Sequence, residues 1–456
     1  MKYLTLFDNH NDYDDYISEI VPQSTDSLLP NVSYCINEVE SHFTDHKRNY
    51  EKEYFTIEAL EDGNVYFKFH LEAPATSQKY MEYSKDNGET WNKTNNVSNQ
   101  EVVMTIPMST GETAIIRGEN EGTCYEYYAN CYFYSDIRVN VFGNILSLVY
   151  SDDFYNEDSL PGNSNSFMSL FNEKTELDAT QTNFLPVVDA SNLILPLNIN
   201  PYMYLLMFAH NTELQKTPKL PATTLVGRCY ASMFQGCTSL TIPPELPATT
   251  LVIDCYKDMF QGCTGLTTAP ELPATTLFDN CYESMFEGCT SLERGPSVLP
   301  STELKKECYK SMFKGCTSLK NAPELPATTL TVGCYQSMFE GCTSLEKASS
   351  VLPAEIVPRY SYDSMFKECT SLKHAPEILA KRLINYSMDY AFYNCSSLTY
   401  IKALAMNAGE LGVTGTYQWV YGVSKNGTFV KRAGSKWIQD SNSSIPDKWR
   451  VFIDNV

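Results

Sequence analysis

The chain has 456 residues, with 34 Lys and Arg against 55 Asp and Glu, and a formal net charge of −21. That length is enough for about two or three domains, each with its own core. A net charge this negative repels phosphate backbones and anionic lipid headgroups, so nucleic acids and membrane surfaces are not expected as partners. No segment approaches the run of about 18 apolar residues that spans a membrane, and the N-terminus lacks a secretory pattern. We therefore expect a soluble product made in the cytoplasm, without membrane insertion.

Two modules are predicted ahead of the rest of the chain. Residues 1–50 form a small N-terminal α+β unit, with KYLTLF as a strand, a short acidic helix over 12–21, and two strands within LPNVSYCINEVESHF. Residues 51–140 form an all-β, sandwich-like module, because YFTIEAL, NVYFKFHLE, KYMEYS, VVMTIP and ETAIIRG are short, β-rich and separated by turn residues. The first 136 residues carry 9 bases and 24 acids, a net charge of −15. Such acidity favours docking of the N-terminal region to a more basic assembly.

One enzymatic motif occurs in the β module. The segment SKDNGETW, from Ser84 to Trp91, matches the Asp box that bacterial sialidases contain several times. The box is also a hairpin turn, in which Asp86 bonds the backbone, Gly88 takes a positive φ and Trp91 packs beneath. Because a sialidase site needs several boxes and clustered arginines, we interpret this one as a structural turn, with a glycan-processing enzyme as an alternative. No serine-hydrolase, zinc-protease, P-loop or dinucleotide motif is present, so we expect no enzyme, cofactor or metal.

From residue 229 to 398 the chain repeats CYxSMFxGCTSL with a period of 26 or 27. Two degraded copies, YLLMFAHNTEL and FMSLFNEKTEL, precede these, which makes about nine units. A fixed period in this range predicts a solenoid, whose coils bury their apolar faces on one another. The predicted phenylalanine ladder consists of Phe234, Phe260, Phe286, Phe313, Phe339, Phe366 and Phe392.

Each coil is predicted to hold one helix and one short strand. Leu277, Cys281 and Met285 follow the spacing of a single helical face, and Gly288 stands where a helix would end. The Pro-containing stretch that follows is too short for a helix and predicts an irregular strand with a turn at LPATT. We therefore expect an α/β solenoid over 141–400 and a β cap over 401–456. In the cap, an Asn-Gly turn at residues 426–427 predicts a hairpin, with Trp419 and Trp449 as packing residues.

Two cysteines recur in each coil, eight residues apart. A pair within one coil would stand about 12 Å apart along a helix, too far for a disulfide and wrong for tetrahedral zinc. Equivalent cysteine Cα atoms of adjacent coils would lie about 5 Å apart, a distance at which a disulfide can form. We favour a ladder of buried free thiols, because Ser361 and Ser387 replace the first cysteine in later copies. The ladder positions are Cys229, Cys237, Cys255, Cys263, Cys281, Cys289, Cys308, Cys316, Cys334 and Cys342.

The variable positions form charge columns. One column contains Glu287, Lys314, Glu340 and Lys367, and a second contains Glu293, Lys320, Glu346 and Lys373. Alternating signs suit neighbours about 5 Å apart, so we interpret both columns as structural rather than as a charged binding patch. The strand positions after the ladder leucine are the predicted ligand-binding residues, namely Thr241, Thr267, Arg294, Asn321, Lys347 and His374.

The repeat resembles the BspA-type leucine-rich repeat of bacterial surface antigens, in a variant common in gut Bacteroides and their phages. The resemblance rests on the order of its parts, which is FxxCxxL, a short strand, LP and then the next coil. The resemblance covers residues 160–400 and implies core ladders of Leu and Phe. The segments LPNVSYC, NILSLVYSDDF and WVYGVSKNGTFVK also resemble predicted virion proteins of Bacteroides phages, including the crAss-like group.

Together these resemblances imply a virion surface protein, either a head or tail fibre or a decoration protein. Residues 1–50 would attach it to other virion proteins of the capsid or tail, and the solenoid would face a host-surface glycan or protein. A bacterial cell-surface adhesin is the alternative, and a homo-oligomer is compatible with either.

Overall fold

The computed structural model describes residues 52–70, 80–93, 101–119, 132–160, 167–172, 184–406, 415–439 and 443–455. All of them fall within the unit Tyr50–Val456. The predicted N-terminal attachment unit lies outside the described residues. No helix in the described ranges is both long and apolar enough to cross a bilayer.

The first described module is a two-sheet β sandwich. Its strands are β1 Phe55–Ala59, β2 Gly63–His70, β3 Tyr80–Ser84, β4 Asn92–Lys93, β5 Glu101–Met108, β6 Thr113–Glu119, β7 Tyr132–Ser135 and β8 Val139–Asn144. One sheet has the order β8-β1-β6-β3-β4, and the other has the order β5-β2-β7. Alternating side chains of β1 point inward, and the Phe55 ring meets Phe133 of the opposite sheet at 5.5 Å between centroids. The sandwich-like fold of this module is confirmed.

A short helical segment and two strands join the sandwich to the solenoid. Helix α1 spans Ser147–Tyr150 and continues into a 3-10 helix, Ser151–Asn156. Strands β9 Val187–Asp189 and β10 Leu193–Ile194 both lie parallel to β8. Asp189 in turn bridges Lys216 of the next coil in parallel. The parallel stacking of the solenoid therefore begins on the edge of the sandwich sheet.

Parallel stacking continues through the coils. A five-stranded sheet has the order β11-β13-β15-β16-β17, and β12 pairs with β14 beside it. These strands are β11 Val351–Leu352, β12 Ile356–Val357, β13 Glu377–Ile378, β14 Arg382–Leu383, β15 Tyr400–Ala403, β16 Thr428–Arg432 and β17 Arg450–Asp454. Earlier coils join through single parallel bridges, such as Arg294 with Asn321. The repeat-based solenoid predicted from the period is confirmed.

The segment predicted to be a helix in each coil is a chain of tight turns instead. In the coil of residues 278–289, Asn280, Ser284 and Gly288 have φ of 55°, 52° and 75°, so every fourth residue is left-handed. A right-handed helix cannot include such residues, whereas Asn, Ser and Gly are residue types that turns favour. We name this segment and its equivalents in the other coils the turn ribbon.

Backbone hydrogen bonds in the turn ribbon alternate between two directions. The Met285 N–H donates to Tyr282 O of its own coil at 3.3 Å, as in a β-turn. The next N–H, that of Phe286, donates to Met312 O of the following coil at 2.9 Å. Every second amide of the ribbon thus binds one coil to the next, as a parallel sheet does.

Aromatic columns fill the solenoid core. Among the described residues, phenylalanine rings stack from coil to coil with centroids 5.0–5.7 Å apart. The column contains Phe171, Phe208, Phe234, Phe260, Phe286, Phe313, Phe339, Phe366 and Phe392. A parallel tyrosine column runs from Tyr204 to Tyr362, with centroids 5.5–6.1 Å apart. The separation of the rings matches the spacing expected for stacked coils.

The cap differs from the predicted hairpin. Strand β16 begins directly after Gly427 and lies parallel to both β15 and β17, so residues 426–427 do not join an antiparallel pair. The hairpin was wrong because the chain adds further parallel rungs instead of folding back. Trp419 and Trp449 are nevertheless buried, and their indole N–H groups donate to Ser444 O and Ser424 O, each at 2.8 Å.

Candidate binding surface

The predicted binding residues lie on an exposed edge of the coils, in a register that the structure defines. Parallel bridges join Thr268 with Arg294, Arg294 with Asn321, Asn321 with Lys347, and His374 with Tyr400. Arg294, Asn321 and Lys347 therefore belong to one column. His374 occupies the equivalent position of the next coil, two residues after its ladder leucine, and all four residues are exposed. Thr241 and Thr267 are also exposed, but the residue of the second coil that bridges Arg294 is Thr268. The prediction therefore placed Thr241 and Thr267 one residue before the position that the bridges define, because it started the first strands one residue too early.

Both of these threonines line a surface groove. Thr241 and Thr267 border a groove of about 490 Å³ together with Ile242 and a series of prolines. The prolines are Pro243, Pro244, Pro247, Pro270 and Pro273. Since proline offers no amide hydrogen, the groove presents a rigid and mostly apolar surface.

Some neighbours in each charge column form ion pairs between successive coils. Glu340 Oε1 lies 2.8 Å from Lys367 Nζ, and Glu340 Oε2 lies 3.6 Å from Lys314 Nζ. Burial alone would raise the pKa of Glu340, but the contacts with Lys367, Ser337 and Lys314 lower it overall. In the second column Lys320 Nζ lies 3.8 Å from Glu293. Exposed pairs of this kind contribute about 0.2–1 kcal/mol each.

Glu287 and Lys314 occupy adjacent coils, as the repeat register requires. The Gly288 N–H donates to Lys314 O at 2.8 Å. The Glu287 carboxylate accepts a hydrogen bond from Gln261 Nε2 at 3.3 Å, on its other side. The glutamate is thus bonded to the coil before it, while Lys314 reaches toward Glu340 in the coil after it.

Cysteines form two buried columns in the core. Twelve free cysteines occur among the described residues, and every one is buried. In the second column each thiol donates to a phenylalanine carbonyl of the preceding coil, as Cys289 Sγ does to Phe260 O at 3.1 Å. In the first column Ser361 Oγ donates to Thr331 O at 2.8 Å. Burial raises the pKa of Cys281 to about 12, so this thiol stays protonated and is a poor nucleophile.

An aromatic surface that the sequence analysis missed covers the C-terminal part of the turn ribbon. Its tyrosine rings lie 5.0–5.7 Å apart between centroids, in the pairs 390–393, 390–417 and 393–421. We define the tyrosine surface as Tyr390, Tyr393, Tyr417 and Tyr421. Tyr417 and Tyr421 are about half exposed, at 50% and 43%. The signal in the sequence is the gain of tyrosines in the ribbon copies SMDYAFYNC and TYQWVYG, in which Asp389 is the one charged residue.

Two carboxylates border the tyrosine surface. Asp363 accepts a hydrogen bond from Gln336 Nε2, and Asp389 accepts one from the Tyr417 N–H, both at 2.9 Å. Burial is the largest cause that raises the pKa of Asp363, to about 6, and it also raises the pKa of Asp389. Asp389 is buried and Asp363 is partly exposed, so one available acceptor lies beside the exposed rings, a combination typical of ligand sites.

The Asp box is a structural turn in this chain. Asp86 Oδ1 accepts hydrogen bonds from the Ser84 hydroxyl at 2.6 Å and from the Thr90 N–H at 2.8 Å. These bonds, the Ser84 bond first, lower the pKa of Asp86 to about 2. Gly88 has a φ of 91°, and the Trp91 ring packs on Tyr54 at 5.5 Å between centroids.

A charged cluster next to this turn was not anticipated from the sequence. Arg117 lies over the Trp91 ring, 3.8 Å from its centroid, and its Nε is 2.9 Å from Glu82 Oε2. Its Nη1 contacts Asp152, which also accepts a hydrogen bond from the Tyr54 hydroxyl at 2.6 Å. Arg117 contacts Trp91 of the turn and Glu82 of the sheet, so the cluster holds the turn against the sheet. Among the described residues, no group of three or more His, Cys, Asp and Glu could hold a metal ion.

Comparison with known proteins identifies the repeat. A family model for the BspA type leucine rich repeat region, in six copies, matches residues 208–346 and 298–408. A leucine-rich repeat protein from Bacteroides ovatus is 19% identical, with 61% of this chain and 81% of that chain covered and a TM-score of 0.29. No curated protein matches the chain. The residues that match the family model contain the stacked ladders, so residues 208–408 are similar to the BspA type leucine rich repeat region.

Proposed function

We propose that this chain is a non-enzymatic adhesion protein that binds surface glycans through the tyrosine surface of its solenoid. The observation that carries the proposal is the group of exposed tyrosine rings beside Asp363 and Asp389. A tyrosine has an apolar ring and a polar hydroxyl, so it packs on the C–H face of a sugar and still bonds to its hydroxyl groups. The partly exposed Asp363 carboxylate accepts further hydrogen bonds from sugar hydroxyls, and the buried Asp389 holds the Tyr417 backbone in place.

The rest of the surface supports binding rather than turnover. The described thiols are buried, and Arg117 is engaged in ion pairs with Glu82 and Asp152. A regular stack of coils presents the same residue position at intervals of one coil, which suits a repetitive polymer such as a glycan. The exposed column of Arg294, Asn321, Lys347 and His374 is the second candidate surface, and the groove at Thr241 and Thr267 adjoins its N-terminal end.

The proposed location is the surface of a phage virion, with residues 1–50 attached to other virion proteins. Three short segments that resemble virion proteins of Bacteroides phages support this location. A bacterial cell surface is the alternative. Mass spectrometry of purified virions distinguishes them, because the chain must be found in the particle if the proposal holds, and its absence rejects the virion.

Glycan binding is tested with the purified full chain on an array of mucin-type and bacterial envelope glycans. We expect the double variant Tyr417→Ala/Tyr421→Ala to bind at least about tenfold more weakly, as loss of exposed anchor rings does at other binding surfaces. Tyr155→Ala, at an exposed tyrosine of the 3-10 helix Ser151–Asn156, is the matched control and should bind as the wild type does. Wild-type affinity in the double variant, or no binding by the wild type, refutes the tyrosine surface. Loss of binding in Lys347→Ala/His374→Ala alone transfers the site to the exposed column.

A further inference from the structure

Strand β17 forms an open edge of the five-stranded sheet and carries three consecutive exposed apolar residues. It pairs with β16 on one side, and no described strand pairs with its other side. Val451, Phe452 and Ile453 are 38%, 54% and 59% exposed. An apolar edge strand readily pairs with another strand, and proteins normally protect such edges with charge, proline or a covering segment.

The hydrogen-bond pattern defines which backbone groups of β17 face the open edge. The Arg450 N–H donates to Gly427 O at 2.9 Å, and Asp454 O accepts from the Ala433 N–H at 3.2 Å. In a parallel ladder alternate residues direct both polar backbone groups to the same neighbour. Arg450, Phe452 and Asp454 therefore face β16, and the N–H and C=O groups of Val451 and Ile453 point outward.

The sequence of β17, RVFID, is complementary to itself when two copies run antiparallel about Phe452. Val451 of one copy is then opposite Ile453 of the other, and Arg450 is opposite Asp454. Side chains opposite each other lie on the same face, so both Val451–Ile453 pairs lie on one face, and Phe452 meets Phe452 on the other face, between the two charge pairs. The outward backbone groups of Val451 and Ile453 also meet as a hydrogen-bonded pair, which leaves Phe452 in the closer, non-hydrogen-bonded pair.

We propose that β17 binds β17 of a second copy of this chain, which forms a two-fold dimer with a continuous ten-stranded sheet. Each dimer would gain four backbone hydrogen bonds, two Val451–Ile453 contacts, one Phe452–Phe452 contact and two Arg450–Asp454 ion pairs. Asp454 Oδ2 lies 3.1 Å from Lys402 Nζ on the outer face of the sheet, and the second copy's Arg450 joins it there. Such an isologous interface closes on itself and yields a dimer rather than a fibre.

Charge reversal tests the antiparallel register directly. Arg450→Asp places two aspartates opposite each other twice per dimer, and Asp454→Arg does the same with arginines. We expect the wild-type full chain to sediment as a dimer and each variant to dissociate at least about tenfold more readily. An equimolar mixture of the two variants restores both opposite-charge pairs, so we expect it to sediment as a dimer again.

Sedimentation velocity over a hundredfold concentration range measures all of these species. Arg294→Asp and Asp153→Arg have the same charge changes at exposed positions away from β17 and should remain dimeric. A monomeric wild type, or a dimer that Arg450→Asp leaves intact, overturns the proposal. A mixture that stays monomeric while each variant retains its circular dichroism spectrum overturns the antiparallel register. Association beyond the dimer rejects the two-fold interface.

Discussion

Phe286 lies in the middle of the phenylalanine column, and its replacement by alanine tests whether ring stacking stabilises the solenoid. The side chain is fully buried, with ring centroids 5.6 Å from Phe260 and 5.5 Å from Phe313. Truncation of a buried phenylalanine costs about 3–5 kcal/mol, because apolar contacts are lost and a cavity remains. The two ring pairs account for about 0.5–1.5 kcal/mol each within that range. We therefore expect Phe286→Ala to lower the free energy of unfolding by about 3–5 kcal/mol.

Urea-induced unfolding followed by circular dichroism measures this loss, and Phe278→Ala is the matched control. Phe278 lies in the same coil but is 50% exposed. Its truncation should change the free energy of unfolding by at most about 1 kcal/mol, as is usual for surface substitutions. Hydrogen exchange adds a local measurement, since the Phe260 amide donates to Met285 O in the coil of Phe286 and should exchange faster in Phe286→Ala. Equal losses in the two variants would refute the role of the column.

Two further predictions concern titratable groups in the solenoid. The described thiols should resist iodoacetamide in the folded protein at pH 8 and react fully in urea. The reason is that burial raises their pKa values, that of Cys281 to about 12. Peptide mapping that finds labelling of Cys281 or Cys289 in the folded protein would contradict this. Burial, with help from the charges of Asp389 and Glu340, raises the pKa of Asp363 from 3.8 to about 6 in the folded state, although Gln336 and Lys367 oppose the shift. The folded state therefore holds this proton more tightly than the unfolded state does. Between pH 4 and pH 7 the free energy of unfolding of the wild type should therefore fall by on the order of 2 kcal/mol relative to that of Asp363→Asn, as measured by urea unfolding. A difference between the two proteins that is independent of pH would show that Asp363 titrates normally.

Sequence periodicity predicted the solenoid well but misassigned the backbone of the turn ribbon. Inward positions such as Cys281, Met285 and Cys289 recur every four residues in the ribbon. An α-helix has 3.6 residues per turn, so over a dozen residues the two structures bury nearly the same positions. What distinguishes them is the positive φ at Asn280, Ser284 and Gly288, which is a property of the backbone and only weakly encoded in residue type.

Prediction of the binding surface was limited by register and by the focus on repeats. The column containing Arg294 and Lys347 could be found because the ladder leucines fix its position in the regular copies. In the coils of Thr241 and Thr267, the prediction placed the strand position one residue too close to the ladder leucine. A shift of one residue moves a side chain to the other side of a strand. The tyrosine surface lies where the copies diverge, so a search for shared residues passed over it.

The turn ribbon has a consequence for how the length of this protein can change in evolution. Its joints between coils are made by main-chain amides and carbonyls, such as Phe286 N–H with Met312 O, and these groups are identical at every level. Removal of one whole period from the middle of the array would bring Phe260 against Phe313 with the same joint re-formed. Recombination between the near-identical ELPATTL segments could therefore lengthen or shorten the reach of the protein in steps of one coil, while both ends keep their surfaces.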